Sequence, residues 1–507
     1  MRKRSKFSLS HYNLTTMNMG YVVPVGLTEV LPGDTIQQAT SAFIRVTPLV
    51  APVMHPVHVA IHHWYVPLRL IWDDFENFIT GGEDGLDTSE YPTITAPAEG
   101  FPTCGVADYL GCPTGIGNLV VSALPFRAYD LIWSEWYRDQ NVMDPVSISK
   151  ASGPDTTTSV YLYPKAWAKD YFTTAAPWPQ RGPAVSVPVN LTAAGEPSIT
   201  ATTTISPAGV PTFTRVDSSV PTGSLKAFFQ EAGNSVINEQ SGDIYNALRW
   251  NKPALSAQTT IDYSSGNPEL GSVDINQLRE AFALQRFEEH RALYGSRYTE
   301  YLRYLGIRAS DARLQRPEYL GGGRQTIQFS EVLQTAEGTD PVGTMRGHGI
   351  AAMRTNRYRR FIEEHGYVMT LMSVMPISIY QDGLPRLWNR RVKEDFWQKE
   401  LEHIGEQEVL IKELYAKSSK PDDVFGYQDR YDEYRSHHSF VSGEFRNLLN
   451  YWHFAREFAN EPAINKTFIY GEPTHRPFAE QTKNQLYCMV NHSIQARRLV
   501  SRRGNPR

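Results

Sequence analysis

The sequence predicts a mainly β architecture, on three observations. Aromatic residues make up 12% of 507 positions and are interleaved with 36 Gly and 33 Pro, so large packing residues alternate with turns and long loops. The stretch Pro56 to Pro67 places Val57, Val59 and Ile61 on one face and His58, Ala60 and His62 on the other, the period of two of a half-buried strand. Gly366 to Pro376 is apolar on both faces and bounded by Gly and Pro, as expected of a strand covered on both sides.

Between these strands, Tyr171 to Leu225 is dominated by Pro, Thr, Ser, Ala, Gly and Val, and carries only Arg181, Glu196, Arg215 and Asp217 as charges. So long a segment inside a compact domain reads as an insertion. Its runs Ala184 to Val189 and Ser198 to Ile205 have the composition of hairpin strands. Asp274 caps an expected helix with Gln277 three residues on, and Ile275, Leu278, Phe282 and Phe287 recur at near-helical spacing to about His290. A second helical segment follows Gly295. Gly321-Gly-Gly-Arg324 reads as a turn, and Phe445 to Phe458 as a short helix with Phe445, Leu448, Leu449, Trp452 and Ala455 on its packed stripe.

Composition excludes whole classes. With 41% hydrophobic residues the chain has ample material for a core, and three cysteines (Cys104, Cys112, Cys488) are too few for a disulfide framework. The segment after Arg2 to Lys6 is too polar for a signal peptide, and the most apolar stretch, Tyr367 to Tyr380, is shorter than the roughly 20 residues of a membrane span. No G-x-S-x-G, H-E-x-x-H, Walker A or G-x-G-x-x-G motif is present, so the expectation is a protein without enzymatic activity or cofactor. The acid pairs Asp73–Asp74, Glu83–Asp84 and Asp422–Asp423 read as solvated surface. Of the best metal candidates, His55, His58, His62 and His63, only His58 and His62 share a strand face, and they lie about 13 Å apart by strand rise; His437 and His438 are neighbours that face opposite ways. No metal site is expected.

Charge carries more information. The formal balance is 50 Lys+Arg against 54 Asp+Glu, net −4. Yet Arg2, Lys3, Arg4 and Lys6 open the chain and Arg497, Arg498, Arg502, Arg503 and Arg507 close it, with no acid among them. Setting those nine cations aside leaves 41 against 54, a body of −13. Unstructured basic ends gain affinity for phosphates through counterion release, so these nine residues are the expected nucleic-acid-binding set. A second candidate patch, for nucleic acid or a subunit interface, is Arg354, Arg357, Tyr358, Arg359 and Arg360, with Arg346 nearby and no intervening acid. Tyr358 and Phe361 have rings able to stack on unpaired bases.

Several blocks in order resemble one known family. Lys6-Phe-Ser-Leu-Ser-His-Tyr-Asn-Leu-Thr-Thr, Leu31-Pro-Gly-Asp-Thr and Val66-Pro-Leu-Arg-Leu-Ile-Trp-Asp-Asp-Phe-Glu-Asn-Phe-Ile-Thr-Gly-Gly82 are similar to the major capsid proteins (VP1 or F-protein type) of the Microviridae, gokushovirus branch. So are Tyr171 to Pro183, Asp311 to Gly322, Tyr431-Asp-Glu-Tyr-Arg435 and Gly443-Glu-Phe-Arg446. The resemblance covers nearly the whole chain and is weakest over 184–272.

It implies an eight-stranded antiparallel jelly roll with long loop insertions and a few helices. The core would come from about 20–170 and 325–480, with a variable surface insertion at 184–272, a helical insertion at 273–306, and basic tails at 1–6 and 497–507. It further implies a homo-oligomer of sixty copies in a T=1 icosahedral shell around a circular single-stranded DNA genome, with minor virion proteins as partners. The insertion would contact a host-cell surface receptor, and assembly would occur in the bacterial cytoplasm. Two other classes share some of these features. A β-rich carbohydrate-active enzyme predicts a carboxylate-lined cleft in a monomer, and a free-standing single-stranded DNA-binding protein accounts for the tails but not for the acidic body.

Overall fold

A computed structural model describes residues 4–83, 86–183, 185, 191–193, 199–200, 213–215, 229–231, 234–236, 248–250, 260–261, 268–270, 275–294, 297–307, 310–335 and 341–502. Eight strands build its main body: β1 (His11–Met17), β2 (Val22–Val30), β3 (Thr35–Val46), β4 (Val57–Pro67), β5 (Glu318–Thr326), β6 (Met345–Arg354), β7 (Gly366–Pro376) and β8 (Leu486–Arg498). They pair antiparallel as two sheets, β1-β8-β3-β6 and β2-β7-β4-β5. Successive strands alternate between the two sheets except β4 and β5, which are neighbours in one sheet, the path of a jelly roll. Ser5–Ser8 adds to β8, Tyr358–Phe361 to β3 and Gln328–Leu333 to β6. The sandwich thus reaches back to His11 and forward to Arg498, past the 20–170 and 325–480 limits read from the sequence.

Alternation decides which residues meet. Val57, Val59 and Ile61 of β4 pack with Met372 and Val374 of β7 against Ile44, Met353, Cys488 and Val490 of the facing sheet. The other side of the β2-β7-β4-β5 sheet is covered as well. Trp64, Val66, Met369 and Leu371 join Leu124, Phe126, Tyr129, Ile132 and Trp133 of α1 (Leu124–Trp136) in a second cluster. All eleven residues of β7 are buried in consequence, which is why its sequence shows no alternation. Among the described residues no such layer covers the β1-β8-β3-β6 sheet: along β8, Leu486, Cys488 and Val490 are buried while Tyr487 and Met489 are 43% and 42% exposed.

A polar chain crosses the sandwich. His63 Nδ1 and Gln38 Nε2 meet the Thr370 hydroxyl at 3.0 and 3.2 Å, His63 Nε2 meets Thr355 Oγ1 at 3.2 Å, and His492 Nδ1 meets Thr40 Oγ1 at 3.0 Å. Burial holds the imidazoles of His63 and His492 down, to about 3 and about 4, so both stay neutral. A second buried pair anchors the covering layer. Arg127 Nε donates to Asp155 at 2.8 Å with both side chains fully buried, and its remaining donors reach the Ile71 and Ala151 carbonyls. Burial pushes the Asp155 carboxyl up, but Thr158, Thr157 and Arg127 donate to it and bring it down to about 2.

Three local readings are corrected. Gly321 to Arg324 is part of β5, because a side chain there would collide with the sheet: a Cβ on Gly322 would lie 2.3 Å from the Ile61 carbonyl oxygen. Phe445 to Phe458 is two single turns, Gly443–Arg446 and Asn450–Trp452. Side chains take its carbonyls, His453 of the same segment on Phe445 and the distant Gln381 on Arg446, and these compete with a marginal short helix. Part of the basic ends is strand, not free arm: Ser5–Ser8 is paired with Gln495–Arg498, while Arg4 and 499–502 lie outside strands.

The helix expected from Asp274 runs Ile275–Tyr294, with a further short helix at Tyr298–Tyr304; Asp274 itself lies outside the described residues. Ile275, Phe282 and Phe287 are exposed on it. Chain contacts divide the molecule into two units, residues 1–184 with 285–507, and 185–284. Within the second, four short antiparallel pairs are nested: Leu191–Ala193 with Pro268–Leu270, Ile199–Thr200 with Thr260–Ile261, Phe213–Arg215 with Leu248–Trp250, and Phe229–Glu231 with Asn234–Val236. Ile199–Thr200, the described part of Ser198 to Ile205, pairs with Thr260–Ile261 and not with a neighbouring run. The run 184–189 is described only at Val185 and in no strand.

Candidate nucleic-acid interface

Residues paired directly across an antiparallel sheet share a face, so the register lays out the uncovered side of the β1-β8-β3-β6 sheet row by row. Lys6, Arg497, Thr35 and Phe361 form one row; Ser8, Gln495, Gln37 and Arg359 form the next. Farther along lie Tyr12, Asn491, Ser41 and Arg354, then Leu14, Met489, Phe43 and Ala352, then Thr16, Tyr487, Arg45 and Ile350. His348 and Arg346 of β6 continue the face, opposite Ser330 and Val332. None of these positions is Asp or Glu.

Arg4 joins the first row, donating to Thr35 Oγ1 at 2.9 Å and to the Gly33 carbonyl at 3.1 Å, with its guanidinium 5.6 Å from the centre of the Phe361 ring. Arg45 lies over the Phe43 ring at 5.4 Å. Both arginines lie beside aromatic rings, an arrangement suited to phosphate and base together. Tyr12 is 69% exposed and Leu14 79%. A concavity of about 760 Å³ adjoins them, walled by Phe43, Arg45, Tyr487 and the loop from Thr103 to Gly111. The loop's Asp108 accepts the Cys104 N–H at 2.8 Å.

The structure sorts the residues singled out in the sequence. Arg4, Lys6, Arg497, Arg354 and Arg359 converge on this one face, although they come from both ends and the middle of the chain. Arg498 does not: it turns to the opposite side and pairs with fully buried Asp34 at 2.9 Å. Arg360 pairs with Glu318 at 2.9 Å. Tyr358 points into the sandwich, donating to Gln38 Oε1 at 2.8 Å beside His63, so its ring is not offered for stacking. Arg357 and Arg502 are exposed outside these rows. Arg2, Lys3, Arg503 and Arg507 lie outside the described residues.

Sequence reasoning missed Arg45, Phe43, Tyr12 and Tyr487. Their signal was the alternation Ser41-x-Phe43-x-Arg45 on a strand whose intervening residues, Ala42, Ile44 and Val46, are buried. Among the described residues no group of three His, Cys, Asp or Glu is placed to hold a metal ion. None of their helices is long and apolar enough to cross a membrane.

Comparison with known proteins identifies relatives over nearly the whole chain. The model of the capsid protein (F protein) family matches residues 1–506. Capsid protein VP1 of Bdellovibrio phage phiMH2K is 37% identical over 482 residues, covering 92% of this chain and 87% of the relative. Capsid protein VP1 of Chlamydia phage 1 is 32% identical over 552 residues, covering 96% and 92%. That of Spiroplasma virus 4 is 28% identical over 495 residues, covering 92% and 87%.

Proposed function

Since the chain belongs to the capsid protein (F protein) family, we propose that it is a major capsid protein whose copies close a T=1 icosahedral shell of sixty subunits around a circular single-stranded DNA genome. It is a structural protein of the virion. The observation that carries the genome-facing part of this reading is the acid-free sheet face bearing Arg4, Lys6, Arg45, Arg346, Arg354, Arg359 and Arg497. In a subunit of net charge −4, a sheet side without a carboxylate is a local inversion of the overall balance, and exposed cations are attracted to phosphates regardless of base sequence. Tyr12, Phe43, Tyr487 and Phe361 supply the surfaces on which unpaired bases stack.

We further propose that 184–272 is a variable surface insertion used in host attachment, 273–306 a helical insertion, and that assembly occurs in the host cytoplasm with minor virion proteins. The nested antiparallel pairs within 185–284 support reading it as an insertion that pairs with itself. Expression of the chain followed by electron microscopy tests assembly: uniform closed shells are expected, and a monomer under all assembly conditions contradicts the reading. In such shells, deletion of residues 1–6 is expected to lower DNA content. Replacement of 184–272 is expected to leave shells intact and abolish adsorption, and loss of shells from a folded chain contradicts an external role.

A further inference from the structure

On the other side of the sandwich lies a cavity of about 650 Å³, over the outer face of the β2-β7-β4-β5 sheet. Its floor is His58, Ala60 and His62 of β4 with Arg324 of β5, and its walls are the end of α1 with Tyr137 to Asn141, and the segment Lys165 to Lys169. Six basic side chains line it: His58, His62, Arg138, Lys165, Lys169 and Arg324. Two acids do, and both are already engaged. Asp139 pairs with Lys169 at 2.5 Å and accepts the Asn141 N–H; Glu300 accepts from Gln140 at 2.9 Å and from the Arg297 N–H at 3.0 Å. With the histidines neutral, four cations face two anions.

Lys165 is the centre of the imbalance. Its ammonium lies 4.6 Å from the centre of the Tyr137 ring and has no carboxylate partner among the described residues. Burial, with the Arg324 charge adding, brings it down to about 8. His62 completes the array. The Tyr137 hydroxyl accepts from Trp64 Nε1 at 3.3 Å and lies 2.7 Å from His62 Nδ1. When that hydroxyl donates to Nδ1, His62 Nε2 is the ring's N–H donor. Burial first and Lys165 second hold this ring neutral, down to about 4, so it donates without adding charge. Unpaired cations that repel each other in a partly desolvated cavity, beside a neutral donor, are stabilised by an incoming oxyanion.

We propose that this cavity is a phosphate-binding site, in which Lys165 and Arg324 hold the anion and His62 Nε2–H donates to it. Its volume falls in the range of small-molecule pockets and admits a phosphate carried by a nucleotide. Its residues lie on a different sheet from the acid-free face, so the proposal does not depend on that face binding DNA.

The test is calorimetric titration of the full-length protein at pH 7 with inorganic phosphate, thymidine 5′-monophosphate, thymidine and a short oligothymidylate. Saturable binding of inorganic phosphate and the monophosphate is expected, weakened at least tenfold by Lys165→Met and by Arg324→Gln, and falling as pH rises through 8 to 9. The variants Lys6→Gln and Arg354→Gln should leave it unchanged. Oligothymidylate competing at this site identifies polynucleotide as a source of the phosphate; failure to compete restricts the site to small phosphates. Equal binding of thymidine and its monophosphate, or unchanged affinity in both Lys165→Met and the exposed Arg324→Gln variant, overturns the proposal. So does the absence of saturable phosphate binding.

Discussion

Lys6 stands directly opposite Arg497 where Ser5–Ser8 pairs with β8. Like charges directly across an antiparallel pair destabilise it, and no described carboxylate sits in their row to offset the repulsion. A polyanion would. Single replacements Lys6→Gln, Arg354→Gln or Arg359→Gln are therefore expected to weaken oligothymidylate binding at all sequences alike. Each should reduce the slope of log affinity against log salt by about 0.7, the single-strand value per phosphate contact. A slope unmoved by all three places the contacts elsewhere.

Arg127 and Asp155 form a fully buried ion pair whose remaining groups are satisfied by main chain and threonines. Removal of one partner strands a charge in the interior. Arg127→Met is expected to cost about 3–5 kcal/mol, read from the urea midpoint of the unassembled chain, and a change below 1 kcal/mol would argue against the pairing.

His63 and His492 are buried and held neutral at about 3 and about 4, against about 6.5 for an imidazole in the unfolded chain. The unfolded state takes up protons first as pH falls. The stability the two confer is thus complete above pH 6.5 and declines as pH drops toward 4, by about 2 kcal/mol for each histidine between pH 6.5 and 5. The urea midpoint should fall over that interval, and less so in a His63→Gln variant. An acid-insensitive midpoint would mean that the rings are solvated.

Gly322 faces the neighbouring strand so closely that any Cβ would sit 2.3 Å from the Ile61 carbonyl oxygen and 2.8 Å from the Tyr319 hydroxyl. Gly322→Ala is expected to destabilise by about 1–3 kcal/mol through backbone displacement. Gly343→Ala makes a useful contrast, since its φ of +90° strains an alanine in open space.

The strands around Val57 and Gly366 were legible because period-two alternation and its absence both report burial. The jelly-roll path became an expectation through the ordered resemblance blocks, whereas strand pairing rests on contacts between residues hundreds of positions apart. Phe445 to Phe458 misled because its apolar spacing is helical, yet Gln381 and His453 take its carbonyls. In the candidate interface, Lys6, Arg354, Arg359 and Arg497 could be picked out as charges without acids nearby. That Arg498 and Arg360 turn away to Asp34 and Glu318 was hidden, because which side of a strand a residue takes depends on register. Arg45 escaped notice because a single arginine in an apolar strand has no cluster to announce it.

The central claim, that the uncovered sheet face holds the genome, is tested most directly by the DNA content of purified shells. The chain carrying Lys6→Gln, Arg45→Gln, Arg354→Gln, Arg359→Gln and Arg497→Gln should be compared with the unaltered chain by the absorbance ratio at 260 and 280 nm and by density. Closed shells with markedly less DNA are predicted; closed shells with an unchanged complement would contradict the account.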